Sequence, residues 1–205
     1  MTKILRFTTK TPSRFGFQRV KKRSKSDPER QDQLNLFSAL TGRILQFRSA
    51  NLSSFDEALL LDERGDGKAE EVYWKAINEG DSVADAYCNL GILEFHAGRT
   101  AKAFDCFTNS LRHDPRHPES HYNLGNLYFE VGDLKLAHVH YQMAIEIDPA
   151  FLNAHFNIGL IHALNRDFRS AFESLTTYKE LAPAAEGAKA DQILASLRQT
   201  LTRRK

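Results

Sequence analysis

Three markers recur at a constant interval of 34 residues between positions 91 and 183 of the chain. They are a glycine, an alanine and a proline, at Gly91, Gly125 and Gly159, at Ala103, Ala137 and Ala171, and at Pro115, Pro149 and Pro183. Because all three keep the same phase over three copies, the sequence predicts a repeat protein. In such a protein each copy is one structural unit that buries its apolar face against its neighbours.

The interval and the markers resemble the tetratricopeptide repeat family, whose unit is a pair of antiparallel helices. The three units then span 84–117, 118–151 and 152–185, with glycine in the family's eighth position and alanine in its twentieth. The resemblance implies an all-α, right-handed helical solenoid with a concave groove. It specifies the fold and leaves the function open.

Local patterns extend the repeat array in both directions. Residues 50–83 form a degenerate first repeat, with Glu57 in place of the glycine and Asp81 in place of the proline. We expect an amphipathic helix at 31–49 and a capping helix at 186–205. Residues 1–30 have no sustained apolar period, and we expect them to be disordered.

The helix pairs should pack closely, because glycine and alanine add little side chain at the crossing. Apolar residues at helical spacing predict the buried face of the second helix in the middle unit. They are Leu136, Val139, Met143 and Ile147.

The resemblance also implies which residues face a ligand, because the first helix of each unit lines the groove in this family. They are Asn89, Asn123, Asn157, Tyr122, Phe156, Asn126, Phe95, Phe129 and Cys88. An asparagine amide has both a donor and an acceptor, as a peptide unit has. Three asparagines in register could therefore hold an extended backbone. The alternative is that they brace neighbouring loops while the aromatic residues pack between helices.

The basic tail allows three interpretations. Residues 1–30 contain ten Lys or Arg and two acidic residues, so their net charge is +8, whereas the remaining 175 residues sum to −6. The tail is a solvated arm, a nucleic-acid contact through Lys21, Lys22 and Arg23 with phenylalanines stacked on bases, or an organelle presequence.

A short stretch after the tail, Gln33-Leu34-Asn35-Leu36-Phe37, resembles the peptide motif by which bacterial replication proteins dock on the sliding clamp. In that motif the glutamine meets polar groups and the Leu-Phe pair fills an apolar pocket. The same residues also fit the amphipathic helix at 31–49, which we favour, and packing of that helix would bury the motif.

Nothing in the sequence predicts catalysis, a cofactor or a metal site. The eight histidines include no pair placed securely on one helix at ligand spacing. Cys88 and Cys106 give no disulfide framework, and no stretch has the pattern of a secretion signal or a membrane span. We therefore expect a cytoplasmic protein that is not inserted in a membrane.

The sequence predicts a non-catalytic scaffold or adaptor that holds an extended peptide of a protein partner in its groove. One rival is a nucleic-acid-associated or replication-linked adaptor that uses the tail and the 33–37 motif. A second rival is an accessory subunit whose groove is filled by its own tail, which would make the tail a regulator. The sequence identifies no particular partner.

Overall fold

The computed structural model describes residues 15–21 and 52–202, and within them it contains nine α-helices and no strand. The helices are α1 (Ser54–Glu63), α2 (Ala69–Glu79), α3 (Val83–His96), α4 (Thr100–His113), α5 (Pro118–Glu130), α6 (Leu134–Ile147), α7 (Leu152–Leu164), α8 (Phe168–Leu181) and α9 (Ala184–Thr202). The predicted helix at 31–49, and with it the 33–37 motif, lies outside the described residues.

Consecutive helices pack as pairs, and the pairs stack in chain order. The recurring glycines permit this packing. A Cβ at Gly91 would lie 2.7 Å from the Phe107 ring, and one at Gly125 would lie 2.6 Å from the Tyr141 ring. Real Cβ contacts essentially never come so close, so a larger residue would push the two helices of a unit apart. The close approach predicted at the glycines is therefore confirmed.

Left-handed glycines make the turn inside two of the repeats. Gly98 follows α3 and Gly132 follows α5, with φ of 77° and 84°. Glycine reaches this conformation without the steric cost that a Cβ imposes. At the other end of the unit, the helix stops before the Asp-Pro pairs at Pro115 and Pro149, as proline requires.

The predicted buried face of α6 is wrong. Leu136, Val139 and Met143 are 40%, 49% and 40% exposed, whereas Ala137 and Tyr141 are fully buried. The face that packs on α5 includes Tyr141, whose ring fits because Gly125 of α5 has no side chain. Leu136, Val139 and Met143 therefore face outward, whereas the fourth predicted residue, Ile147, is half-buried.

The ends of the array close the core. In the first pair, Phe55, Ala58 and Tyr73 pack against Leu90 of α3. At the other end, α9 buries apolar side chains against α8. We keep the domain boundaries given above as predictions.

The predicted disorder of the tail is wrong for residues 15–21, which we call the N-terminal segment. This stretch has no helix or strand of its own. It lies against the first helices of the three repeats that carry the glycine, alanine and proline markers, and Val20 is fully buried. None of the helices in residues 52–202 combines the length and apolar content that a membrane span requires.

Candidate functional site

The concave groove is lined by α3, α5 and α7, and the N-terminal segment occupies it. Each of these helices carries the asparagine at the sixth position of its repeat unit, and all three asparagines are fully buried. Each one forms hydrogen bonds with a single residue of the segment through both atoms of its amide. The pairs are Asn157 with Phe15, Asn123 with Gln18, and Asn89 with Val20.

The geometry is the same in all three pairs. The backbone N–H of the segment residue donates to Oδ1 of the asparagine at 2.8–2.9 Å. The amide Nδ2 donates in return to the carbonyl oxygen of the same residue at 2.9–3.2 Å. This reciprocal pattern is the one by which facing residues pair in an antiparallel sheet. The segment contributes only its main-chain N–H and C=O groups, so the pairing does not depend on the side chain of the bound residue.

The spacing of the bonded residues matches the spacing of the helices. Packed helices are roughly 8–10 Å apart, and an extended chain advances about 3.3 Å per residue. One repeat therefore corresponds to between two and three residues of an extended ligand. The segment shows both values, since Phe15 and Gln18 are three apart and Gln18 and Val20 are two apart. The segment runs opposite to the order of the repeats.

Two further groove residues contact the main chain near the start of the segment. The Tyr122 hydroxyl lies 2.9 Å from the Gly16 carbonyl oxygen and 3.1 Å from that of Phe15. Asn126 donates from Nδ2 to the Gly16 carbonyl at 3.0 Å, and its own Oδ1 accepts from the Tyr141 hydroxyl at 2.6 Å. The second helix of the middle repeat thus orients a groove residue of the first.

Aromatic side chains of the groove surround those of the segment. The Phe17 ring centroid lies 4.4 Å from that of Phe95, and the Phe15 centroid lies 4.9 Å from that of Phe156 in an edge-to-face arrangement. The ammonium group of Lys189 on α9 lies 4.6 Å from the Phe15 centroid. These contacts bury apolar surface of Phe15 against α7 and of Phe17 against α3.

Cys88 lies beneath the segment, in one apolar cluster with Val20. Its Sγ is 3.3 Å from Nδ2 of Asn123, and burial raises the pKa of its thiol to about 12. Phe129 instead packs into a core cluster with Ile158. The structure therefore brings eight of the nine predicted groove residues together around the segment.

The residues predicted to contact nucleic acid are divided. Lys21 is exposed at the end of the segment, whereas Lys22 and Arg23 lie outside the described residues. Phe15 and Phe17 pack against aromatic groups of the groove, so the hypothesis that they stack on bases is incompatible with this arrangement. The nucleic-acid hypothesis as a whole stays a prediction.

Sequence reasoning missed an ion pair at the degenerate repeat. Arg19 reaches Asp62 on α1 with 2.7 Å between its guanidinium nitrogen and Oδ1, and the Tyr73 hydroxyl donates to Oδ2 at 3.2 Å. Burial raises the pKa of the Asp62 carboxyl, and the charge of Arg19 opposes that rise. Asp62 occupies the thirteenth position of its unit, which is a groove position in this family. Numbering the degenerate repeat from Ala50 could therefore have identified Asp62 as a groove residue.

A histidine pair also escaped the sequence analysis. Nδ1 of His121 lies 3.2 Å from Nδ1 of His140, across the contact between α5 and α6. Burial lowers the pKa of both side chains, that of His140 to about 4. Within residues 15–21 and 52–202, no three histidine, cysteine or acidic side chains are grouped as a metal ion would require. The sequence search considered histidines on one helix and therefore overlooked a pair formed between two.

Comparisons with known proteins agree with this architecture. The Tetratricopeptide repeat family model matches residues 82–150, about a third of the chain. The match shows tetratricopeptide repeats within residues 82–150, and the stacked helix pairs have the fold of that family. The search of curated proteins gives no significant match.

Solved structures with the same fold are distant in sequence. The first tetratricopeptide repeat domain of Spaghetti (RPAP3), bound to the HSP90 peptide SRMEEVD, has a TM-score of 0.53 and 22% identity. That match covers 58% of this chain and 93% of the other. MamA has a TM-score of 0.54 at 16% identity, covering 73% and 96%. The APC/C hetero-tetramer Cut9-Hcn1 has a TM-score of 0.61 at 17% identity, and the match covers 72% of this chain and 29% of that one. These likenesses show the fold.

Proposed function

We propose that this protein is a non-catalytic interaction scaffold that holds an extended segment of a partner protein in its concave groove. The observation that carries the proposal is the reciprocal pairing of three buried asparagines with main-chain groups. Such pairing suits any extended chain. The RPAP3 domain, which was solved with a bound peptide, supports peptide binding by this fold.

The resident segment sets the conditions under which a partner binds. Because residues 15–21 belong to the same chain, they bind the groove intramolecularly, which gives them an advantage over a partner that must bind from solution. A partner must therefore displace the segment. This combines the predicted scaffold with the predicted regulatory tail, and it makes the tail a competitor of the partner.

Capture of a partner from a lysate of the source cells tests the proposal. The wild type is compared with Asn89→Ala, Asn123→Ala and Asn157→Ala combined, and with Val20→Asp, which should expel the segment. Each lost hydrogen bond is worth about 1 kcal/mol net, so six lost bonds should abolish capture. Asn78→Ala, at an exposed asparagine of α2, is the matched control.

The expected result is a partner that Val20→Asp retains more strongly than wild type and that the triple variant loses. Circular dichroism must show equal helix content in all variants. A partner retained equally by wild type and the triple variant would place the working surface outside the groove.

A further inference from the structure

The N-terminal segment shows which side chains the groove accepts at each position. Phe15 and Phe17 meet aromatic side chains, and Val20 is 1% exposed in an apolar cluster. Gly16 differs from these, because a Cβ built on it would meet no atom within 4 Å and its φ is not in the left-handed region. Its position therefore accepts any residue.

Gln18 is held mainly through its backbone. Its amide and carbonyl pair with Asn123, while its side-chain oxygen accepts one hydrogen bond from Asn153 at 3.0 Å. A single partly buried amide contact of this kind selects weakly among polar residues. The position consequently contributes to alignment more than to selection.

Arg19 forms an ion pair with a buried acid of the groove, while its own side chain is 40% exposed. The side chain of Asp62 is 3% exposed, and its partners are the Arg19 guanidinium and the Tyr73 hydroxyl. A buried carboxylate that loses its cationic partner keeps the cost of its lost hydration. A ligand without a cation at this position would impose that cost, so Asp62 should select strongly for arginine.

We propose that the partner segment of this groove has the pattern aromatic, any residue, aromatic, any residue, arginine, β-branched aliphatic, with its arginine bound by Asp62. The inference rests on the proposed function and assigns its ligand class. The chain's own residues 15–20 are the resident example of that class. Asp62 is the residue that determines specificity. It lies in the degenerate repeat, outside the row of Asn89, Asn123 and Asn157 that we call the asparagine ladder.

Peptide binding to the full chain tests the assignment. The chain carries Val20→Asp, so that its own segment leaves the groove. The probes are two fluorescent, terminally blocked peptides of residues 15–21, one with the natural sequence and one with Arg19→Gln. Fluorescence anisotropy gives both dissociation constants for the protein with Asp62, with Asp62→Asn, and with Glu63→Gln, an exposed control on the same helix.

We expect the glutamine peptide to bind about tenfold to a hundredfold more weakly, as the loss of a hydrogen bond between charged groups implies. Asp62→Asn should reduce the difference to about twofold or less, and Glu63→Gln should leave it unchanged. The comparison of the two peptides on unaltered Asp62 needs no variant of the groove, so it stands even if Asp62→Asn folds poorly.

Two outcomes would overturn the assignment. Equal affinity of the two peptides for the protein with Asp62 would refute selection for arginine, while binding itself would still favour a peptide groove. If neither peptide binds, the ligand class is wrong. The proposed function is then judged separately by the capture experiment, whose partner need not share this pattern.

Discussion

Val20→Asp should expel the N-terminal segment from the groove. Val20 is 1% exposed and belongs to an apolar cluster with Cys88, Leu124 and Leu127. An aspartate at this position would either lie among these side chains without a cationic partner or leave the groove together with the segment. The physical question is which of the two costs less.

The magnitudes favour departure of the segment. Replacing valine forfeits its burial, about 1.5–3 kcal/mol, and a desolvated carboxylate adds a penalty of several kcal/mol. The two backbone hydrogen bonds that Val20 makes with Asn89 are worth about 1 kcal/mol each. The lost burial and the carboxylate penalty together amount to at least about 4 kcal/mol, which lowers the equilibrium constant for binding of the segment in the groove roughly a thousandfold.

The thiol of Cys88 reports the change. It is fully buried beside Val20. Alkylation at pH 8 followed by mass spectrometry should show at least a tenfold faster reaction of Cys88 in Val20→Asp than in wild type. Cys106, which is buried in the cluster of the first helix pair, is the internal control for general unfolding.

Gly16→Asp is the matched substitution, because it places the same residue in the same segment where a Cβ meets no neighbour within 4 Å. It should leave Cys88 protected. If Cys88 in Val20→Asp reacts no faster than in Gly16→Asp, or if Cys106 accelerates to the same degree, the segment is not what covers the groove.

Two more predictions concern the scaffold. Gly125→Ala should lower the free energy of unfolding by about 1–3 kcal/mol, because the added Cβ would collide with Tyr141. Gly187→Ala should be neutral or stabilising by up to about 1 kcal/mol, because the added Cβ would meet no atom closer than 3.5 Å. Thermal unfolding of the two variants measures the difference. The pKa of His140 is lowered to about 4 by burial and by His121, so between pH 6.5 and 4 only the unfolded state takes up this proton. Stability should fall over that range by up to about 3 kcal/mol, and His140→Gln should weaken the dependence of the unfolding midpoint on pH. An unchanged dependence would contradict the assignment.

The repeat fold could be predicted from sequence because its determinants recur. The same steric requirement recurs every 34 residues, because a side chain of the following helix packs directly on each of Gly91, Gly125 and Gly159. The asparagines also recur at this interval, because each makes the same hydrogen bonds in its own unit, and they could therefore be assigned to the groove together. The outward face of α6 could not be predicted, because helical spacing of Leu136 and Val139 does not tell which side meets a neighbour.

The occupant of the groove could not be predicted from one sequence. Phe15 pairs with Asn157 across 142 positions, and nothing in the tail's composition marks it as a ligand. Its basic residues suggested a solvated arm or a nucleic-acid contact. The Arg19–Asp62 pair was hidden for a related reason, since the first repeat lacks the markers that would have made its groove positions evident.

Residue-resolved amide hydrogen exchange of the wild-type chain tests the central claim most directly. The account predicts that the amides of Phe15, Gln18 and Val20, which donate to the three asparagines, exchange slowly. All three should lose protection together when the asparagines are changed to alanine, while the helix amides keep theirs. If these amides exchange in the wild type as fast as in an unstructured peptide, the groove does not hold the segment, and the asparagine ladder is not a peptide-binding device.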